Sequence, residues 1–185
     1  MRLIAATYPP DWSLKETIAL PVFMDQVPPR GGTGRIDFRL NGLISGLILE
    51  QLFEKEDYWL LINPERMVAP ELFLAPLGKT ESFNLEKAAN WFQRVARKLA
   101  GAGARSFALV AEDLYRPEFG LKDFSGALIK SLVSYPFEQV KLYASPGLAE
   151  KLVSELGRWA YHFQAGNPLE LGVAKIPDAF EVKKS

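Results

Sequence analysis

The chain has 185 residues, 48% of them hydrophobic and 24% charged, with 22 basic and 22 acidic side chains and a formal net charge of zero. That balance excludes wholesale disorder and a domain that grips nucleic acid through overall charge. With no Cys and a single His, it also excludes disulfides, thiolate metal sites and a cysteine nucleophile.

Residues 3–5 read as a short strand, broken by Pro9 and Pro10. The apolar run there is too short for a signal-peptide core, and no stretch approaches the ~20 apolar residues needed to cross a bilayer. A cytoplasmic location is expected. Residues 17–24 form a second strand, and Pro21 within it implies a sheet edge, a bulge or a strand end. Residues 28–34 read as a loop. A helix is expected to start near Asp37, with Leu40, Leu43, Ile44, Leu47 and Ile48 on one face. Gly42 and Gly46, four apart, imply close approach of a neighbouring element.

Strands follow at 58–62 and 71–77, the second ending in Gly78-Lys79. Asn84 caps the best-marked helix, whose apolar stripe runs through Leu85, Ala88, Ala89, Phe92, Ala96 and Leu99 to Gly101 and Gly103. A strand at 106–111, a helix capped by Asp123 and a strand at 139–144 come next. Ser145-Pro146 opens the last helix with an N-cap and a proline at the first helical position. Residues 169–175 read as a final strand. This alternation predicts a single α/β domain over 1–185, three-layered, with a mixed sheet flanked by helices.

The order of these pieces resembles a known family. The strand Leu20-Pro21-Val22-Phe23 leads through a glycine loop to Asp37 and the helix Leu43-Ile44-Ser45-Gly46-Leu47-Ile48. Leu77-Gly78-Lys79 then precedes Asn84-Leu85-Glu86-Lys87, and Ala100-Gly101-Ala102-Gly103-Ala104-Arg105-Ser106 runs into the next strand. Over residues 17–144 this is similar to the N-terminal, macro-domain-like domain of the cytosolic leucine aminopeptidase family. The resemblance implies a macro-domain-like fold and a non-catalytic role. The family's two-metal catalytic signature is missing from the sequence, so no catalytic residue, metal or cofactor is expected.

On that basis the expected function is that of a stand-alone interaction or assembly module, self-associating or docking on another protein. Trp91, Arg94, Tyr161 and Phe163 are its candidate interface residues, because exposed aromatics concentrate at interfaces. The alternative is a macro-type domain that binds a small nucleotide or an ADP-ribose-like ligand. Gly78, Lys79, Thr80 and Ser82 are the candidates for that site, since ligands of α/β sheets gather at strand C-terminal ends; a plain turn with a solvated lysine is the other reading. Gly31-Gly32-Thr33-Gly34 is expected to be a flexible connection, lacking the full pattern of a phosphate loop. Glu112-Asp113 reads as a solvated loop, and His162 as a structural residue. Arg94, Arg97, Lys98 and Arg105 read as a solvated helix face in preference to a DNA-binding patch.

Overall fold

The computed structural model describes residues 1–13, 15–54, 56–64, 66–162 and 169–175, with backbone only for 160–162. In chain order the strands are β1 (Arg2–Ala6), β2 (Thr17–Phe23), β3 (Trp59–Ile62), β4 (Glu71–Gly78), β5 (Ser106–Val110), β6 (Gln139–Tyr143) and β7 (Glu170–Ala174). The helices are α1 (Gly31–Arg39), α2 (Leu43–Leu49), α3 (Leu85–Gly101), α4 (Ala111–Leu114), α5 (Leu121–Leu132) and α6 (Pro146–His162). Among the described residues the strands make one seven-stranded sheet in the order β3-β4-β2-β5-β6-β1-β7. Only β3 runs antiparallel to its neighbour; the other pairs are parallel and are joined by crossovers.

Because the sheet is covered on both sides, its inner strands β2 and β5 are near-continuous apolar runs, while β6 buries one charge at Lys141. On β2, Ile18, Leu20 and Val22 face Ile36, Ile44, Leu47 and Ile48 of α1 and α2. Ala19 and Phe23 point the other way, into the larger core with Trp91, Phe92, Phe124, Leu128 and Leu152 from α3, α5 and α6. The three-layer α/β fold with a mixed sheet is the one expected from the alternation of elements.

Pro21 lies on a central strand but beside the register shift at Val22/Phe23, one of the expected alternatives. The β2–β5 register stops at Ala19, so the strands have parted before Pro21 would need to donate. Its carbonyl accepts from the Thr33 hydroxyl instead (3.2 Å). Three other local expectations are corrected. The first helix starts at Gly31, not near Asp37. The Asp37 carboxylate does cap a helix, but it is α2: it accepts from the amides of Ile44 (2.7 Å) and Ser45 (3.1 Å) and from the Ser45 hydroxyl (2.6 Å). Gly42 is required by its left-handed φ of 80°, whereas Gly46 faces open space and nothing in the structure explains it. Asp123 lies inside α5, whose N-cap is Gly120.

The capping of α3 is as expected, with the Asn84 side chain accepting from the Lys87 amide at 2.9 Å. Pro146 opens α6, and the final strand is β7.

Candidate functional site

The parting of β2 from β5 makes room for the N-terminus of α1. There a cleft of about 290 Å³ opens, lined by Tyr8, Gly31, Gly32, Arg35, Glu112 and Tyr143 among others. It lies just beyond the C-terminal ends of β1, β5 and β6, where Ala6, Val110 and Tyr143 fall in adjacent register. In open α/β sheets, ligands bind in such a crevice where the strand order reverses.

The floor of the cleft rests on a buried polar network. Tyr8 and Tyr143 meet edge to face with ring centroids 5.5 Å apart. The Lys141 ammonium lies 5.7 Å from the Tyr8 ring centroid and donates to Glu16 Oε1 at 2.6 Å. Ser13 donates to the other Glu16 oxygen at 2.8 Å. Burial by itself would raise the Glu16 carboxyl, but the Lys141 ammonium and the Ser13 hydroxyl outweigh it and hold it below its ordinary value. Burial likewise opposes the charge on Lys141, yet Glu16 and Tyr8 outweigh it and raise the ammonium's pKa. The Tyr143 hydroxyl is pushed far up by burial first, with Tyr8 and Glu16 adding to it, so it stays neutral. Beside this network, buried Asp11 accepts from Arg35 and Arg39 and ties the β1–β2 connection to α1.

The glycine segment 31–34 is a built element, correcting its reading as a flexible connection. Gly31 has φ 62°, and a Cβ there would sit 1.9 Å from Asp113 Oδ1. Gly32 presses on Val110, where a Cβ would lie 2.6 Å from Cγ1. The two Asp113 oxygens accept from the amides of Gly32 (2.9 Å) and Thr33 (2.7 Å). Asp113 is therefore a partly buried anion at the start of α1, not a residue of a solvated loop. Burial raises its carboxyl above the ordinary value, although the Thr33 and Gly32 amides pull the other way.

The residues expected from sequence lie elsewhere. Gly78, Lys79, Thr80 and Ser82 follow β4 and do not line this cleft. Their polar groups are engaged locally: the Thr80 amide and hydroxyl donate to Asp25, and the Ser82 hydroxyl accepts from Lys87. Trp91 is not on an open face but 1% exposed, its indole donating to the Ala75 carbonyl at 3.0 Å. Arg94 is bound to the Pro76 carbonyl and lines a separate polar groove with Arg97 and Lys130. The Tyr161 side chain and Phe163 lie outside the described residues, as does the His162 side chain. Trp159 packs on α5 against Gly126 and donates to the Lys122 carbonyl. Sequence reasoning did not single out Tyr8, Asp11, Arg35 or Tyr143 and set Asp113 aside as a loop residue; the available signal was the glycine run. Among the described residues, no group of three or more His, Cys, Asp or Glu could hold a metal ion, and no helix is long and apolar enough to cross a membrane.

No family model and no curated protein matches the sequence. Solved structures do match in shape. A mutant macrodomain of Oceanobacillus iheyensis superposes with a TM-score of 0.65 at 9% identity, covering 86% of this chain and 92% of that one. The macrodomain of Thermus aquaticus DarG gives 0.62 at 11% identity, covering 77% and 97%. A tomato leucine aminopeptidase gives 0.58 at 16% identity, covering 82% of this chain but 34% of that one. The O. iheyensis macrodomain has also been solved with ADPR and with ADP.

At these identities the likeness shows the fold, which is macro-domain-like. It corrects the expected function. The matches that cover most of both chains are macrodomains, two of them solved with ADPR or ADP, and the aminopeptidase relation is not specific. The reading as a stand-alone aminopeptidase domain serving as an assembly module is therefore not the one these matches favour.

Proposed function

We propose that this protein binds a small nucleotide-type ligand of the ADP-ribose class in the cleft at the ends of β1, β5 and β6. The observation that carries this reading is the place of that cleft, beyond the C-terminal ends of three parallel strands, in a fold whose solved neighbours include ADPR and ADP complexes. The lining suits a nucleoside. The ring edges of Tyr8 and Tyr143 form part of the wall, and Ser145 and Thr7 offer hydroxyl partners for a sugar. The volume lies at the small end for a ligand site and fits one moiety of such a molecule, with the remainder outside.

Isothermal titration with ADP-ribose, ADP, AMP and adenosine tests the proposal. Saturable binding is expected, weakened at least tenfold in Tyr8→Ala with the fold confirmed by circular dichroism. Absence of binding by all four at millimolar concentration refutes it.

A further inference from the structure

At the place where α1 meets the cleft, the anion position is already filled by the chain itself. The first turn of a helix presents free amides and the positive end of the helix dipole, which together attract a phosphate or a carboxylate. In α1 the amides of Gly32 and Thr33 both point at Asp113, one to each oxygen. Gly31 and Gly32 form part of the cleft wall, and Gly31 leaves no gap between that wall and the carboxylate. The carboxylate is fixed from behind as well. Asp113 belongs to α4, which follows β5 without an intervening loop, and the Arg116 guanidinium donates to its main-chain carbonyl at 3.1 Å. A phosphate arriving at this wall would meet no free Gly32 or Thr33 amide and would face the negative charges of Asp113 and Glu112.

We infer that Asp113 is a specificity-determining residue that excludes phosphate from the N-terminus of α1, so that the cleft receives the uncharged sugar or base end of its ligand there. The inference rests on the ligand-binding reading above and specifies which end of the molecule enters. Arg35 lines the cleft too, but its guanidinium is already paired with Asp11, so it does not restore an anion site beside the glycines.

The test compares native protein with Asp113→Asn, Asp113→Ser and Asp113→Glu, using inorganic pyrophosphate, ADP-ribose and adenosine as probes. The two neutral variants are expected to bind pyrophosphate and ADP-ribose at least tenfold more tightly than native protein. Asp113→Glu, which keeps the charge, gains nothing, and adenosine affinity stays within twofold throughout. Equal pyrophosphate and ADP-ribose affinities in native protein and the neutral variants overturn the inference, whether those ligands bind both or neither. In that case adenosine or ADP-ribose binding by native protein leaves the ligand-binding reading standing. If the neutral variants fail to fold, the native protein carries the test through its amide resonances. Saturating pyrophosphate should leave Gly32 and Thr33 unmoved, and large shifts at both overturn the inference.

Discussion

Removing one partner of the Glu16–Lys141 pair should destabilise the protein far more than removing both. Lys141 is 2% exposed and Glu16 7%, and at their 2.6 Å contact Ser13 also donates to the carboxylate. Lys141→Met strands a buried carboxylate, an event that costs about 3–5 kcal/mol. At about 2–4 °C per kcal/mol for a chain of this size, the melting temperature should fall by roughly 6–20 °C. Glu16→Gln combined with Lys141→Met removes both charges and should recover at least half of that loss, as a double-mutant cycle would read. The pH dependence has a defined sign. The folded Glu16 pKa is depressed, so its contribution is complete above the ordinary value of 4.5 and is lost as pH falls through the folded value. The folded Lys141 pKa is raised, so its contribution is complete below 10.5 and is lost as pH rises through the folded value. The stability gap between native protein and the double variant should therefore be flat between those two ordinary values and change outside them. A cost below ~1 kcal/mol for Lys141→Met alone would refute the picture of a buried, mutually dependent pair.

Gly31→Ala should cost at least 1–2 kcal/mol from its left-handed backbone, by the order of magnitude known for L-residues, and more because a Cβ would collide with Asp113 Oδ1 at 1.9 Å; urea unfolding measures it. Gly126→Ala forces a Cβ to within 2.6 Å of the Trp159 ring, so a loss of about 1–3 kcal/mol is expected, with a red shift of tryptophan emission as the ring moves toward water. Asn84→Ala removes the cap on α3 and should lower stability by about 1 kcal/mol, while Asn84→Asp should retain it; thermal melts of the pair decide.

What the sequence could reveal followed the range of the interactions involved. α3 was legible at both ends because its cap and apolar stripe are local, and β4 because a buried strand is a continuous apolar run. α1 was not legible in its first turn. Glycines oppose helix formation by about 1 kcal/mol each, and what holds Gly31 and Gly32 in place is a carboxylate 81 residues away from Gly32. Pro21 announced an interruption of the ladder but not which strands part there, since the divergence of β2 from β5 is a property of two strands. The cleft gathers Tyr8, Val110 and Tyr143 from three distant segments, and only the order of strands in the sheet brings them together. Gly78-Lys79 does follow a strand end, but β4 is one place from the edge and Asp25 closes its turn. Trp91 belongs to the apolar face by spacing, three after Ala88 and four before Val95, and what periodicity does not disclose is the buried Ala75 carbonyl that accepts from its indole.

The insertion of β1 between β6 and β7 bears on how the chain closes as it is made. Leu3 pairs with Val140 and Leu171. At the ~5–20 residues per second typical of synthesis, roughly 7–27 s separate the emergence of Leu3 from that of Val140. Through that interval β2, β3, β4 and β5 can already zip together, while Leu3 and Ala5, destined for 1% exposure, have no strand beside them. The growing sheet then presents the far side of β5 as a temporary open border, which any extended segment could occupy until β6 arrives. In the finished protein that border lies at the middle of the sheet.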